Sequence, residues 1–197
     1  DERAGSGDNA APAGGVSVTA ADLGRWIQIQ LALGRLPEGG RLFSEAAAKE
    51  MRAPRTLIPI KPAPPAAAAS TPQFLAYALG WEVRDWRGHK IVWHDGGIDG
   101  FRAVVVLIPG RNVGFALMIN SEEGAVVRGL MYELLDHYLG YPPTDWPTIL
   151  TAIRKTRTDD AVAAVKAAAA PPAKVGPSHA LSAYVGDYVD AWYGPMA

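Results

Sequence analysis

Cysteine is absent from the 197 residues, which excludes a disulfide frame and any thiolate chemistry while leaving the compartment open. An excess of charge of either sign is also lacking. Nineteen Lys and Arg against twenty Asp and Glu leave a net charge of -1, so no nucleic-acid partner and no anionic membrane surface is indicated. No apolar run reaches the length of a bilayer crossing, and no membrane span is expected. The opening DERAGSGDNAAPAGG lacks the basic-then-apolar pattern of a secretory signal. There is no glycine-rich phosphate loop of the P-loop or dinucleotide kind. His89, His137 and His179 have no carboxylates at metal-ligand spacing, so neither a metal nor another cofactor is expected. No internal repeat of solenoid type is present.

What remains is a globular composition, 49% hydrophobic and 20% charged, long enough for one ordinary domain with a real core. Its centre of gravity is the stretch Leu79 to Asn120. Apolar and β-branched runs at Gly80–Trp86, Lys90–Trp93, Phe101–Ile108 and Val113–Ile119 predict four strands. Arg87-Gly88 and Gly110-Arg111-Asn112 fit tight hairpin loops in which Gly or Asn takes φ > 0. The break between the second and third strands differs in kind. His94-Asp95-Gly96-Gly97-Ile98-Asp99-Gly100 holds one imidazole, two carboxylates and three glycines, more than a connector needs. Glycines let a backbone approach a ligand closely and aim N–H groups at it.

Upstream, Asp1 to Gly15 is a small, polar lead-in. Thr19 with Asp22 three residues on makes a capping-box start, and Leu23, Trp26, Ile27, Gln30 and Leu31 then follow helical spacing up to Gly34. Phe43 to Arg52 predicts a second short helix, capped by Ser44 and ended by Pro54. Ile60 to Pro72 is Pro/Ala-rich and predicts an extended, exposed loop. After the strands, Ser121 caps a further helix whose apolar stripe, Val126 to Leu139, packs on the sheet until Gly140 and Pro142-Pro143 stop it. Trp146-Pro147 opens a more polar helix to about Ala170. Glu82, Arg84 and Asp85 are expected on the wet face of their strand, and Asp159-Asp160 at a helix cap. The tail, with Tyr184, Tyr188, Trp192 and Tyr193 around Gly186 and Gly194, predicts a strand, a turn and the start of another strand. The expected organisation is a domain over 1–170, a linker over 171–180 and the start of a small β-domain over 181–197.

The run GWEVRDWRGHKIVWHDGGIDGFRAVVVLIPGRNVGFALMIN resembles the end of the catalytic sheet in serine β-lactamase-like and penicillin-binding-protein-like hydrolases. Within these it is most similar to the class C-type branch of esterases and D-amino-acid peptidases. His94-Asp95-Gly96 matches that family's strand motif in its His-x-Gly form, followed by Gly97 and the loop to Gly100-Phe101. Pro12-Ala13-Gly14-Gly15 before the first helix, and the closing Tyr184-to-Gly194 pattern, resemble further segments of the branch. The resemblance implies an α/β (α+β) fold, an antiparallel sheet flanked by helices, and an acyl-serine mechanism on an ester, amide or peptide bond. It implies a small-molecule or peptide acyl substrate and a periplasmic or secreted location.

Carried over residue by residue, the resemblance gives His94 a hydrogen-bonding and charge-tuning role and gives the Gly97 N–H a place in an oxyanion hole. Gly96 lets the strand edge lie close to substrate. Asp95 stands where Thr or Ser is common; its carboxylate there is expected to disfavour anionic substrates such as penicillins, or else to be a solvated turn residue. Outside a family context, a lone His after a strand is a satisfied structural residue. The nucleophile and base motifs are not found. None of Ser6, Ser17, Ser44, Ser70, Ser121, Ser178 and Ser182 has Lys three residues on, and no tyrosine begins Tyr-x-Asn. The expectation is therefore the C-terminal part of a hydrolase domain, completed by an N-terminal segment or chain that carries the nucleophile. The alternative is a catalytically inactive binding or assembly domain.

Overall fold

The computed structural model describes residues 11–168 and 176–196. Packing divides the chain into two units, Asp1–Thr156 and Arg157–Ala197. The expected linker over 171–180 lies partly outside the described residues.

The first unit is built on a six-stranded antiparallel sheet in sequence order, β1 (Thr56–Leu57), β2 (Leu75–Tyr77), β3 (Glu82–Trp86), β4 (His89–Ile98), β5 (Phe101–Ile108) and β6 (Val113–Ile119). The expected antiparallel sheet flanked by helices is the observed fold. The four predicted strands are present, with β4 running five residues past its predicted end at Trp93, and β1 and β2 add an edge that was not predicted, although β2 lies in the apolar run Phe74-Leu75-Ala76-Tyr77-Ala78-Leu79. Hairpin β3–β4 turns on Arg87 and Gly88, both with positive φ (49° and 88°), as a two-residue turn of the primed type requires. Hairpin β5–β6 turns through Asn112 at φ 52°.

Alternation along the strands sends side chains to two helical layers. Trp86, Ile91, Trp93, Val104, Val106, Ile108 and Phe115 share one core with Val127, Met131, Tyr132, Leu135 and Leu139 of α4 (Gly124–Leu139) and with Trp146 of α5 (Trp146–Ala168). Val83, Val92 and Leu107 share the other with Ile27 of α2 (Ala20–Leu31). Gly114 lets α2 come this close: a Cβ there would stand 2.5 Å from the Ile27 Cγ2. The capping box at the start of α2 forms as expected, with Thr19 N–H donating to Asp22 Oδ2 (2.9 Å) and Asp22 N–H to Thr19 Oγ1 (3.2 Å). A short turn of helix, α1 (Ala11–Gly14), precedes it, and α3 (Glu45–Met51) starts at the Ser44 cap.

Several expectations are corrected. Ile60 to Pro72 is not a wholly exposed loop: a 3₁₀ turn over Pro65–Ser70 buries Ala67 in the α4-side core, and Ser70 O accepts from Arg84 Nη2. Arg84 and Asp85 are buried rather than wet, because β2 and the chain leading into it cover β3. Asp85 Oδ1 accepts the N–H groups of Gln73 (2.6 Å) and Phe74 (3.1 Å), and Oδ2 accepts that of Gly88 (3.0 Å). Burial opposes its charge, yet these backbone donors hold its carboxyl below the ordinary value. Ser121 does not cap α4, which begins three residues later behind Glu123; its Oγ accepts the Glu123 N–H instead. Asp159 and Asp160 lie inside α5, not at a cap. Among the described residues no helix is long and apolar enough to cross a membrane.

In the second unit, β7 (Tyr188–Asp190) and β8 (Gly194–Met196) form a small antiparallel hairpin. Asp190 Oδ1 accepts the N–H groups of Trp192 and Tyr193 at 2.8 Å each, fixing its turn.

Candidate functional site

The seven residues His94 to Gly100 are not a loop. β4 runs through His94, Asp95, Gly96 and Gly97 to Ile98, pairing residue for residue with β5 from His94↔Val105 to Ile98↔Phe101. Only Asp99 and Gly100 turn, and Gly100 alone takes a positive φ, 78°. The glycines that suggested a connector are extended at 96 and 97.

β3 is shorter. Its first residue, Glu82, pairs with Trp93, so among the described residues His94–Ile98 have a strand on the β5 side and none on the other. This overhang presents backbone groups along a free edge. Alternation sorts its side chains: His94, Gly96 and Ile98 fall on the face of Val92 and α2, and Asp95 and Gly97 on the face of Trp93 and α4.

His94 is exposed. Its Nε2 lies 3.1 Å from the Tyr77 hydroxyl of β2, which crosses the end of β3 to reach it, and the two rings meet edge to face at 6.0 Å between centroids. The imidazole therefore faces solvent and a phenol rather than an apolar core. Among the described residues nothing lies within 4 Å of where a Cβ of Gly96 would be, which leaves the surface bare between His94 and the exposed Ile98. Gly14 of α1 is near the far end of that strip, since a Cβ there would touch Ile98 Cγ2 at 4.0 Å. At Gly97 a Cβ would stand 2.4 Å from Arg102 Nη1; the glycine gives the guanidinium room to cross the strand.

Asp95, the residue expected to repel anions, has its charge paired. Arg128 Nη2 of α4 donates to Asp95 Oδ2 at 2.7 Å, and the same guanidinium lies 4.7 Å from the centroid of the Trp93 ring. Glu82, across from Trp93, is half-buried, and burial pushes its carboxyl above the ordinary range. The Trp93 indole, Arg84 and Arg128 act against that rise, although the indole N–H has no acceptor at hydrogen-bond distance.

The structure thus brings His94, Asp95, Gly96 and Gly97 onto one overhanging strand end but divides their side chains between two faces. Two residues of the site escaped the sequence analysis. Tyr77 belongs to no motif and meets His94 only through the strand register. Arg128 looked like one polar position on an amphipathic helix, and nothing local linked it to Asp95 thirty-three residues earlier. Among the described residues no group of three or more His, Asp or Glu is placed to hold a metal.

Comparison with known proteins agrees with this architecture. The Beta-lactamase family profile matches residues 1–139. An unguisins hydrolase of Aspergillus violaceofuscus is 37% identical over 162 residues, 78% of this chain and 28% of that protein. A second unguisins hydrolase, from Aspergillus campestris, is 40% identical over 76 residues, covering 36% of this chain and 14% of its own length. Penicillin-binding protein 4 of Amycolatopsis lactamdurans is 32% identical over 134 residues, 67% of this chain and 32% of that protein. No solved structure gives a significant match. The chain spans about a third or less of the length of each of these curated relatives. With the profile covering well over half of its residues and the His-Asp-Gly-Gly strand inside the matched region, the chain belongs to the Beta-lactamase family.

Proposed function

We propose that this chain supplies one wall of the acyl-transfer site of a serine hydrolase acting on an ester, amide or peptide bond. The observation that carries the proposal is the β4 overhang: an exposed imidazole, a phenol within 3.1 Å of it, and glycine backbone along a strand edge that no other described strand pairs with. Such an edge can hydrogen-bond an extended acyl or peptide group. A serine supplied from outside these 197 residues attacks the acyl carbonyl, its proton passes to a neighbouring base, and the leaving group departs with a proton. Water then hydrolyses the acyl-serine ester and regenerates the hydroxyl. In this scheme the Gly97 N–H helps hold the carbonyl oxygen as it gains charge. Gly96 and Asp95 border the substrate strip. His94 with Tyr77 donates to substrate or to the proton-relay group. The names of the relatives, two hydrolases and one penicillin-binding protein, support this reading. A periplasmic or secreted setting is proposed on the same ground.

The experiment uses the complete parent protein and p-nitrophenyl esters. Turnover by the wild type, with His94→Ala lowering kcat/KM about 100-fold and leaving the unfolding midpoint unchanged, is the expected result. A folded parent protein that is inert on all esters, or a His94→Ala variant of undiminished activity, refutes it. The inert outcome favours a binding or assembly domain using the exposed Ile98, Phe101 and Met118.

A further inference from the structure

The face of the overhang turned away from His94 carries an arrangement of its own. Asp95 and Arg128 are bonded at 2.7 Å, and the Arg128 guanidinium rests on the Trp93 ring. The pair is only half covered, with 51% of the Asp95 side chain and 37% of the Arg128 side chain accessible. Exposed ion pairs contribute little to stability, and Asp is disfavoured in strands. Stability is therefore a poor reason for a carboxylate at the second residue of the overhang. Its effect on a neighbouring ligand is larger, because an uncompensated Asp95 would place a negative charge on the α4 side of the strand edge to which the substrate would bond.

We propose that Arg128 sets the charge selectivity of the β4 edge through Asp95: the closed pair makes the α4 side of the edge a neutral wall that accepts an uncharged substituent of the acyl substrate. Arg128 acts as a positioning residue, since it holds Asp95 rather than touching the reacting atoms. The inference rests on the acyl-transfer reading of the same strand. Among the described residues, other ionisable groups on this face include Arg102 across Gly97, Glu82 opposite Trp93 and Arg84 two residues further along β3. They are common to every variant below, so the comparison isolates the pair.

The test is equilibrium binding by calorimetry to the complete parent protein, which needs no turnover. The probes are N-acetyl dipeptide amides whose second residue is alanine, aspartate or lysine. A unit charge about 6 Å away, at an effective dielectric of about 40–80, changes affinity about three- to tenfold. The wild type is expected to prefer the alanine peptide. Asp95→Asn, which leaves Arg128 uncompensated, should favour the aspartate peptide by that factor, and Arg128→Gln should favour the lysine peptide. The double variant should return to the wild-type ranking, and Arg128→Lys should keep it. A ranking that is the same in all these proteins overturns the inference, as does failure of every protein to bind any probe. The expected pattern of binding in a wild type that hydrolyses no ester would leave the selectivity standing and remove the acyl-transfer reading. Ester turnover with an unchanged ranking would do the reverse.

Discussion

Glu82 shows how a single side chain records the cost of its surroundings. It sits at the start of β3 opposite Trp93, and burial raises its carboxyl pKa. A carboxyl whose folded pKa exceeds its unfolded one binds its proton more tightly in the native state. Its contribution to stability is fully present below the unfolded value of about 4.3 and is lost as pH rises through the raised folded value. Glu82→Gln stays neutral throughout. The expected outcome is a variant whose melting temperature gains on the wild type from pH 4 to pH 7, read by thermal unfolding at several pH values. A gap that is constant or narrows with pH would show that the carboxylate is adequately compensated where it stands. The sequence could not reveal this burden. Glu82, Arg84 and Asp85 look like a wet strand face, and only the chain packed over β3 turns them into interior groups. Thr19 and Asp22 are the opposite case, legible because both partners of the capping box lie within four residues.

Between elements, the docking of α5 onto α4 depends on one buried carboxylate. Asp136 Oδ1 accepts the Trp86 indole N–H at 2.9 Å and Oδ2 the Trp146 indole N–H at 2.7 Å, with Arg87 Nη2 at 3.5 Å. It thereby ties β3, α4 and the first residue of α5 together. Gly129 makes the approach possible, since a Cβ there would stand 2.5 Å from Pro147 backbone atoms. Asp136→Ala would leave two buried indole donors and a half-buried guanidinium without their acceptor, and a loss of about 3 kcal/mol is expected in urea unfolding. A loss under about 1 kcal/mol would mean that water replaces the carboxylate there. The helices themselves were legible: apolar spacing from Val126 to Leu139 placed α4 on the sheet, and Gly140 ended it at φ 80°. Their mutual tie was not, because the partners of Asp136 are ten, forty-nine and fifty residues away. The candidate site divides in the same way. His94, Asp95, Gly96 and Gly97 were visible as a motif. Their placement on a strand was obscured by glycines that favour a turn locally but are held extended by the β5 ladder, and Tyr77 and Arg128 arrive only through register and packing.

Across the whole chain, burial falls away along α5. Trp146 is buried, and Ile149, Leu150 and Ile153 pack against the α4-side core, whereas residues 157–168 are all exposed. The first unit ends at Thr156 on packing grounds, so its stability is set by the sheet, the two helical layers and the first turns of α5. A chain ending at Ala168 keeps the sheet, both helical layers and the first turns of α5, and it is expected to retain a cooperative urea-unfolding transition. The hairpin β7–β8, with strands of three residues each, is too small to hold a fold by itself, and a peptide of residues 176–196 should show no cooperative melt by circular dichroism. A truncated chain without a cooperative transition would show that the sheet and its two helical layers do not suffice to hold the candidate site.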